Sequence, residues 1–131
     1  MRGLPLVLGL LCAAGLAVAT WAAPRHHVPL PGPDATPRRV VVAYIDAVNA
    51  RDFDTANAID ARPGSHLGRY SLPMQTHLVR MGRTTGDATS ARVLFTADFS
   101  GGDGTVEDGP WGYELQRGAD GRWHITDAGV S

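Results

Sequence analysis

Two side chains in this sequence have the chemistry of a general acid or base and lie on predicted apolar strand faces. His77 shares a period-2 face with Met81, and Asp127 follows Ile125 on the face of another strand. Burial raises the pKa of a carboxyl group, which tunes it for proton transfer. His77 and Asp127 are therefore the candidates for catalytic residues.

A structural role for each of these residues stays open beside the catalytic one. A histidine near a strand end commonly makes one ordinary hydrogen bond, and a carboxylate there commonly accepts bonds from turn amides. Acid-base catalysis needs two converging groups, and no spacing in the sequence brings His77 to a buried carboxylate. Whether the protein is an enzyme stays open, and the lack of a convincing pair favours a non-enzymatic role.

Motifs for cofactors and metals are missing from the sequence. It has no nucleophile motif, no phosphate-binding loop and no cluster with metal-ligand spacing. The single cysteine, Cys12, lies in an apolar N-terminal segment, which excludes an intramolecular disulfide. We therefore expect neither a metal nor a cofactor.

Aromatic residues on the predicted apolar faces are the candidates for contacts with a ligand. They are Tyr44, Phe95, Trp111, Tyr113 and Trp123. Aromatic rings commonly line apolar pockets, although Tyr44 and Tyr113 also have a simpler role as core residues.

The strands that carry most of these aromatics form a predicted C-terminal hairpin. Residues 111–117 and 122–128 alternate large apolar and polar side chains, and Asp120-Gly121 supplies the turn between them. The same alternation predicts strands at residues 75–83 and 91–99. The glycine-rich and acidic residues 100–109 are expected to form a long exposed connection.

Two helices are predicted before the strands. Thr36 is a candidate N-cap, and an apolar stripe through Tyr44 indicates an amphipathic helix that runs to about Ala50. Asp54 is the candidate cap of a second, shorter helix. Asn49 is expected to face mostly water.

The length and charge of the chain limit the number of domains and the kinds of partner. Of 131 residues, about a hundred remain for a folded unit, which is enough for one domain, residues 36–131. From Asp34 onward the chain has 10 arginines and 13 acidic residues, a formal charge of −3. This balance argues against nucleic acid as a partner.

The N-terminal residues predict export. Residues 1–23 have the features of a cleaved signal peptide and also those of an uncleaved membrane anchor, and both readings stay open. An uncleaved segment would make the membrane a partner. Residues 24–35 form a proline-rich linker that we expect to be an extended, solvated tether.

Two stretches of the chain resemble a known superfamily. Residues 37–52 read PRRVVVAYIDAVNARD and residues 120–129 read DGRWHITDAG. Together with a short second helix, they resemble the nuclear transport factor 2-like, or SnoaL-like, superfamily, in particular its small exported or membrane-tethered bacterial members. The resemblance implies an α+β cone, in which a curved antiparallel sheet of at least four strands wraps the first helix and leaves an apolar cavity.

The superfamily includes isomerases, dehydratases, cyclases, transport adaptors and assembly domains, so its fold does not choose a function. Our first hypothesis is a non-enzymatic extracytoplasmic domain that presents its cavity to a small apolar ligand or to an envelope protein. The alternative is an extracytoplasmic SnoaL-like isomerase or lyase that uses His77, with Asp127 or Tyr113 as the candidates for a second group. A homodimer through the outer sheet face is a third option, and Arg80, Arg92, Glu114 and Gln116 would make that contact polar.

Overall fold

The computed structural model describes residues 26–101 and 104–130. Two helices precede four strands along the chain. They are α1 Pro37–Ala50, α2 Phe53–Ile59, β1 Gln75–Gly86, β2 Ser90–Gly101, β3 Gly104–Arg117 and β4 Trp123–Gly129. The predicted α+β class and the predicted C-terminal hairpin are confirmed.

The predicted signal peptide or membrane anchor, residues 1–23, lies outside the described residues. In the part of the chain that the structure describes, neither helix has the length and apolar character needed to cross a membrane.

The strands form one open, curved antiparallel sheet in the order β1-β2-β3-β4. Residues 100–109 were predicted to form a long exposed connection. The prediction of a connection was wrong, because β2 continues to Gly101 and β3 begins at Gly104, whereas the exposure is confirmed for residues 100, 101 and 104–108. Glycine is disfavoured in strands, but at Gly109 it has a packing reason. A Cβ atom there would lie 3.1 Å from the ring of Phe99, so the missing side chain lets that ring pack on the strand.

The core lies between α1 and one face of the sheet. The α1 stripe that contains Val41 and Tyr44 is buried, as the helical spacing predicts. It packs with Val93 and Phe95 of β2 and with Leu115 of β3. The predicted inner faces of β2 and β3 are therefore confirmed.

Bulges in the two edge strands, β1 and β4, place His77 and Asp127 on the opposite faces from those predicted. In β1 the register shifts between Leu78 and Arg80, so His77 lies opposite Asp98 on the outer face and Met81 opposite Phe95 on the inner face. In β4 the shift leaves Asp127 opposite the exposed Glu114. Strict alternation failed here because a bulge adds one unpaired residue and reverses the faces beyond it.

Asp52, and not Asp54, caps α2. One carboxylate oxygen of Asp52 accepts from the backbone N–H of Thr55 at 3.4 Å, and the other accepts from the N–H of Val28 at 2.8 Å. The Thr55 hydroxyl in turn donates to the Val28 carbonyl at 2.8 Å. The prediction of a solvated tether was therefore wrong at Val28, which is buried against the helices.

This capping contact gives a stability prediction. Replacing Asp52 by Ala removes the acceptor for both N–H groups and should lower the free energy of unfolding by about 2 kcal/mol. Asp54→Ala changes an exposed residue of the first turn and should cost a few tenths of a kcal/mol. Urea unfolding of both variants measures the difference, and an equal loss for the two would contradict the assignment of the cap.

Candidate functional site

A cavity of about 520 Å³ opens between α1, the loop after α2 and the sheet. Its lining is mainly apolar and includes Ile45 and Val48 of α1, Phe99 of β2 and Trp111 of β3. The volume is in the range of pockets that hold small organic molecules. Arg62 is the one charged side chain among the described residues that line it.

A cluster of three polar side chains stands at the wall of this cavity. The Tyr44 hydroxyl donates to Asp60 Oδ2 at 2.9 Å. Arg62 binds the same carboxylate through Nη2 at 2.7 Å and through Nε at 2.9 Å, and its Nη2 also donates to the Tyr44 oxygen at 3.2 Å. The Asp60 side chain is only 2% exposed, and that of Arg62 is 26% exposed.

The electrostatics of the cluster favour a permanent ion pair. Burial would raise the pKa of the Asp60 carboxyl, but the hydrogen bonds from Arg62 and Tyr44 outweigh it, and the pKa lies below its ordinary value of 3.8. The hydrogen bond to Asp60 raises the pKa of the Arg62 guanidinium. Burial, with Tyr113 and Asp60 nearby, raises the pKa of the Tyr44 hydroxyl above its usual range. Asp60 is therefore a weak base and Tyr44 a weak acid.

Backbone pairing with β4 fixes the position of the cluster. Asp60 forms a parallel bridge with Ile125, and the Ala61 N–H donates to the Ile125 carbonyl at 2.8 Å. This pairing fixes the backbone at Asp60, whose carboxylate reaches the Tyr44 hydroxyl on α1. Arg62 follows two residues later, and its guanidinium carbon lies 5.5 Å from the centre of the Tyr113 ring.

Side chains from the helices hold the loop that borders the cavity. The Asn57 amide donates to the Leu67 carbonyl at 2.7 Å and accepts from the Leu67 N–H at 2.9 Å. Asn49 makes the same pair of bonds with Thr76, both at 2.8 Å. The prediction that Asn49 faces water was therefore wrong, because its amide replaces the backbone partner that Thr76 lacks at the start of β1.

Three of the five predicted ligand contacts line the cavity, namely Tyr44, Trp111 and Tyr113. The other two lie elsewhere. Phe95 is only 2% exposed in the core, where its ring centre is 5.6 Å from that of Tyr113. Trp123 is buried on β4 beneath Arg117, whose guanidinium carbon is 4.7 Å from the ring centre.

The two predicted catalytic residues do not line the cavity. The His77 side chain is 81% exposed, and its Nδ1 lies 3.5 Å from Asp98 Oδ2 on the outer face. Asp127 is exposed, and its Oδ1 accepts from the N–H of Ala128 at 2.8 Å. The prediction that these two residues face inward was wrong, because the bulges in β1 and β4 place them on the outer face.

Sequence reasoning missed Asp60 and Arg62. Both fall in a stretch that reads as turn chemistry, and their contacts depend on a pairing with Ile125 far along the chain. The one local signal was an acidic and a basic residue two positions apart, directly after a helix. No group of three or more His, Cys, Asp or Glu residues able to hold a metal occurs within residues 26–101 and 104–130.

Comparisons with known proteins give a likeness of fold only. No protein-family model and no curated protein matches the chain. A SEC-C motif containing protein from Rhodopseudomonas palustris, solved in solution, is similar with a TM-score of 0.56 and 15% identity, over 77% of this chain and 82% of that one. A Catenulispora acidiphila protein in complex with S-DNPA has a TM-score of 0.44 and 17% identity, over 71% of this chain and 87% of that one. The first likeness indicates a shared fold and carries no function.

The buried carboxylate makes stability depend on pH in a defined direction. Because Asp60 binds its proton more weakly in the folded chain than in the unfolded chain, its ionised form stabilises the fold. This contribution is complete above the ordinary pKa of 3.8 and is lost as the pH falls through the lower pKa of the folded state. Asp60→Asn should therefore cost about 2 kcal/mol near neutral pH, and the cost should shrink on acidification below about pH 4.

Urea unfolding of the wild type and of Asp60→Asn along a pH series measures this effect. Asp46→Asn, which changes an exposed carboxylate of α1, is the matched control and should follow the wild type. A cost for Asp60→Asn that stays constant or grows on acidification would contradict the assignment.

Proposed function

We propose that this chain is a non-enzymatic binding domain whose cavity beside α1 holds a small apolar ligand. The observation that carries the proposal is an apolar cavity of about 520 Å³ whose polar wall groups already bind one another. The free energy of binding in such a cavity comes mainly from the burial of apolar surface of the ligand. Its aromatic residues Trp111 and Tyr113 supply large contact areas.

The same contacts favour binding over the alternative, a SnoaL-like isomerase or lyase. A general base must accept a proton from the substrate, and the Asp60 carboxylate already accepts from Tyr44 and from three N–H groups of Arg62. Its pKa is lowered, which makes it a poorer base still. His77 and Asp127 face solvent outside the cavity.

We further propose that the domain belongs to the nuclear transport factor 2-like superfamily and has its cone shape. Support comes from the order of elements, two helices followed by an antiparallel meander, and from the two stretches of sequence that resemble the superfamily. The cavity at one end of the sheet agrees with the open end of such a cone.

An extracytoplasmic location is part of this proposal. The apolar residues 4–23 support it, either as a signal peptide or as a membrane anchor. The exposed apolar side chains Met74, Val106 and Val130 at the cavity are also compatible with an envelope protein as the partner. We favour a small ligand because the apolar lining continues inward from these residues.

A neutral probe tests the binding proposal. The wild-type domain should bind 1-octanol in isothermal titration calorimetry, and Val106→Trp should weaken that binding by at least about tenfold because the indole occupies the cavity. Val79→Trp is the matched control, since Val79 is an exposed strand valine that does not line the cavity.

The control variant should bind the probe as the wild type does. Failure of the wild type to bind any apolar probe of this size would contradict the proposed function. Equal weakening by the two tryptophan variants would show that the probe binds elsewhere.

A further inference from the structure

We infer that the ligand carries one carboxylate, which binds the Arg62 guanidinium while the apolar body of the ligand runs along β3. The inference rests on the proposed function, because it names the class of ligand for the same cavity. Three features of the cavity support this inference. They are a hydrogen-bond donor that the polar cluster leaves free, a guanidinium that faces the cavity, and a polar end opposite an apolar end.

The hydrogen-bonding capacity that the polar cluster leaves unused consists of donors. Asp60 Oδ1 accepts from the backbone N–H and the Nε of Arg62, and Oδ2 accepts from Arg62 Nη2 and the Tyr44 hydroxyl. Within residues 26–101 and 104–130, nothing accepts a hydrogen bond from Arg62 Nη1. A carboxylate oxygen is a strong acceptor for a guanidinium N–H, because the hydrogen bond is charge-assisted.

The side of the ion pair that faces the cavity also favours an anion. Arg62 lines the cavity, whereas Asp60 lies behind it with a side chain only 2% exposed. A ligand in the cavity therefore meets the guanidinium and not the carboxylate. Since Arg62 is 26% exposed, a bound carboxylate keeps part of its hydration, which lowers the cost of removing it from water.

The cavity has one polar end and one apolar end. Arg62, Tyr44 and Tyr113 meet at the polar end. Along β3 from Tyr113, the lining passes Trp111 and Gly109 and reaches Val106, which pairs with Phe99. This path spans roughly 20 Å of strand, longer than an eight-carbon chain. An amphipathic acid can thus bind Arg62 and keep its chain on apolar surface.

Three probes with the same chain test the head group on the wild-type protein. Calorimetric titration should give octanoate the tightest binding, at least about tenfold tighter than 1-octanol, because its hydrogen bonds to Arg62 are charge-assisted. Octylamine should bind more weakly than 1-octanol, since its cation would be repelled by the Arg62 guanidinium that lines the cavity.

Binding of 1-octanol as tight as octanoate would overturn the carboxylate inference and leave the proposed function standing. Octylamine tighter than octanoate would overturn it as well. If none of the three probes binds, the proposed function itself falls. The two failures are therefore distinguishable in one set of titrations.

A double variant assigns the preference to Arg62. Asp60→Asn with Arg62→Met removes the ion pair as a neutral couple, so no buried charge is left unpaired. Its octanoate affinity should fall to that of 1-octanol, while 1-octanol binding persists and reports an intact cavity. Arg92→Met, which removes an exposed arginine of the outer face, is the control for net charge and should keep the preference.

An undiminished preference for octanoate in the double variant would overturn the role of Arg62. If the double variant does not fold, the head-group series on the wild type decides the inference alone.

Discussion

The structure depends on one buried carboxylate. Asp60 accepts four hydrogen bonds, one from Tyr44 on α1 and three from Arg62 on the following loop, while its backbone pairs with Ile125 of β4. A buried charge is tolerated only when its partners are complete, because desolvation costs several kcal/mol otherwise. The helix, the loop and the last strand are thereby held in one arrangement, and that arrangement forms the cavity wall.

Irregularities in the strands decide which side chains face the core, the cavity or solvent. The bulges in β1 and β4 turn His77 and Asp127 toward solvent and leave apolar or small residues inside. Gly109 removes a side chain where the Phe99 ring packs on β3. The result is an apolar floor beside a polar wall, which supports our proposal of an amphipathic ligand over a proton-transfer reaction.

Regular features of the fold could be predicted from the sequence. The helical spacing that contains Tyr44 and the alternation of Val93, Phe95, Trp111 and Tyr113 identified buried faces correctly, because both patterns are local. They also found three aromatic residues of the cavity. The assignment of this chain to the nuclear transport factor 2-like superfamily stays a prediction.

The predictions that were wrong concern residues whose structural partners are distant in sequence. A bulge is fixed by the pairing across two strands, so the face of His77 could not be read from β1 alone. Asp60 and Arg62 resemble ordinary turn residues until β4 is paired beside them. The amide of Asn49 likewise gains its role only from Thr76. Polar residues at the ends of elements were therefore the least predictable part of the site.

The orientation of bound octanoate tests the proposed binding mode most directly, and intermolecular nuclear Overhauser effects to the labelled domain measure it. We expect the methylene next to the carboxylate to contact Arg62 and Tyr113, and the terminal methyl to contact the apolar lining farther along β3, beside Trp111. Contacts of the terminal methyl with Arg62, or of the probe with the outer face of the sheet, would contradict it.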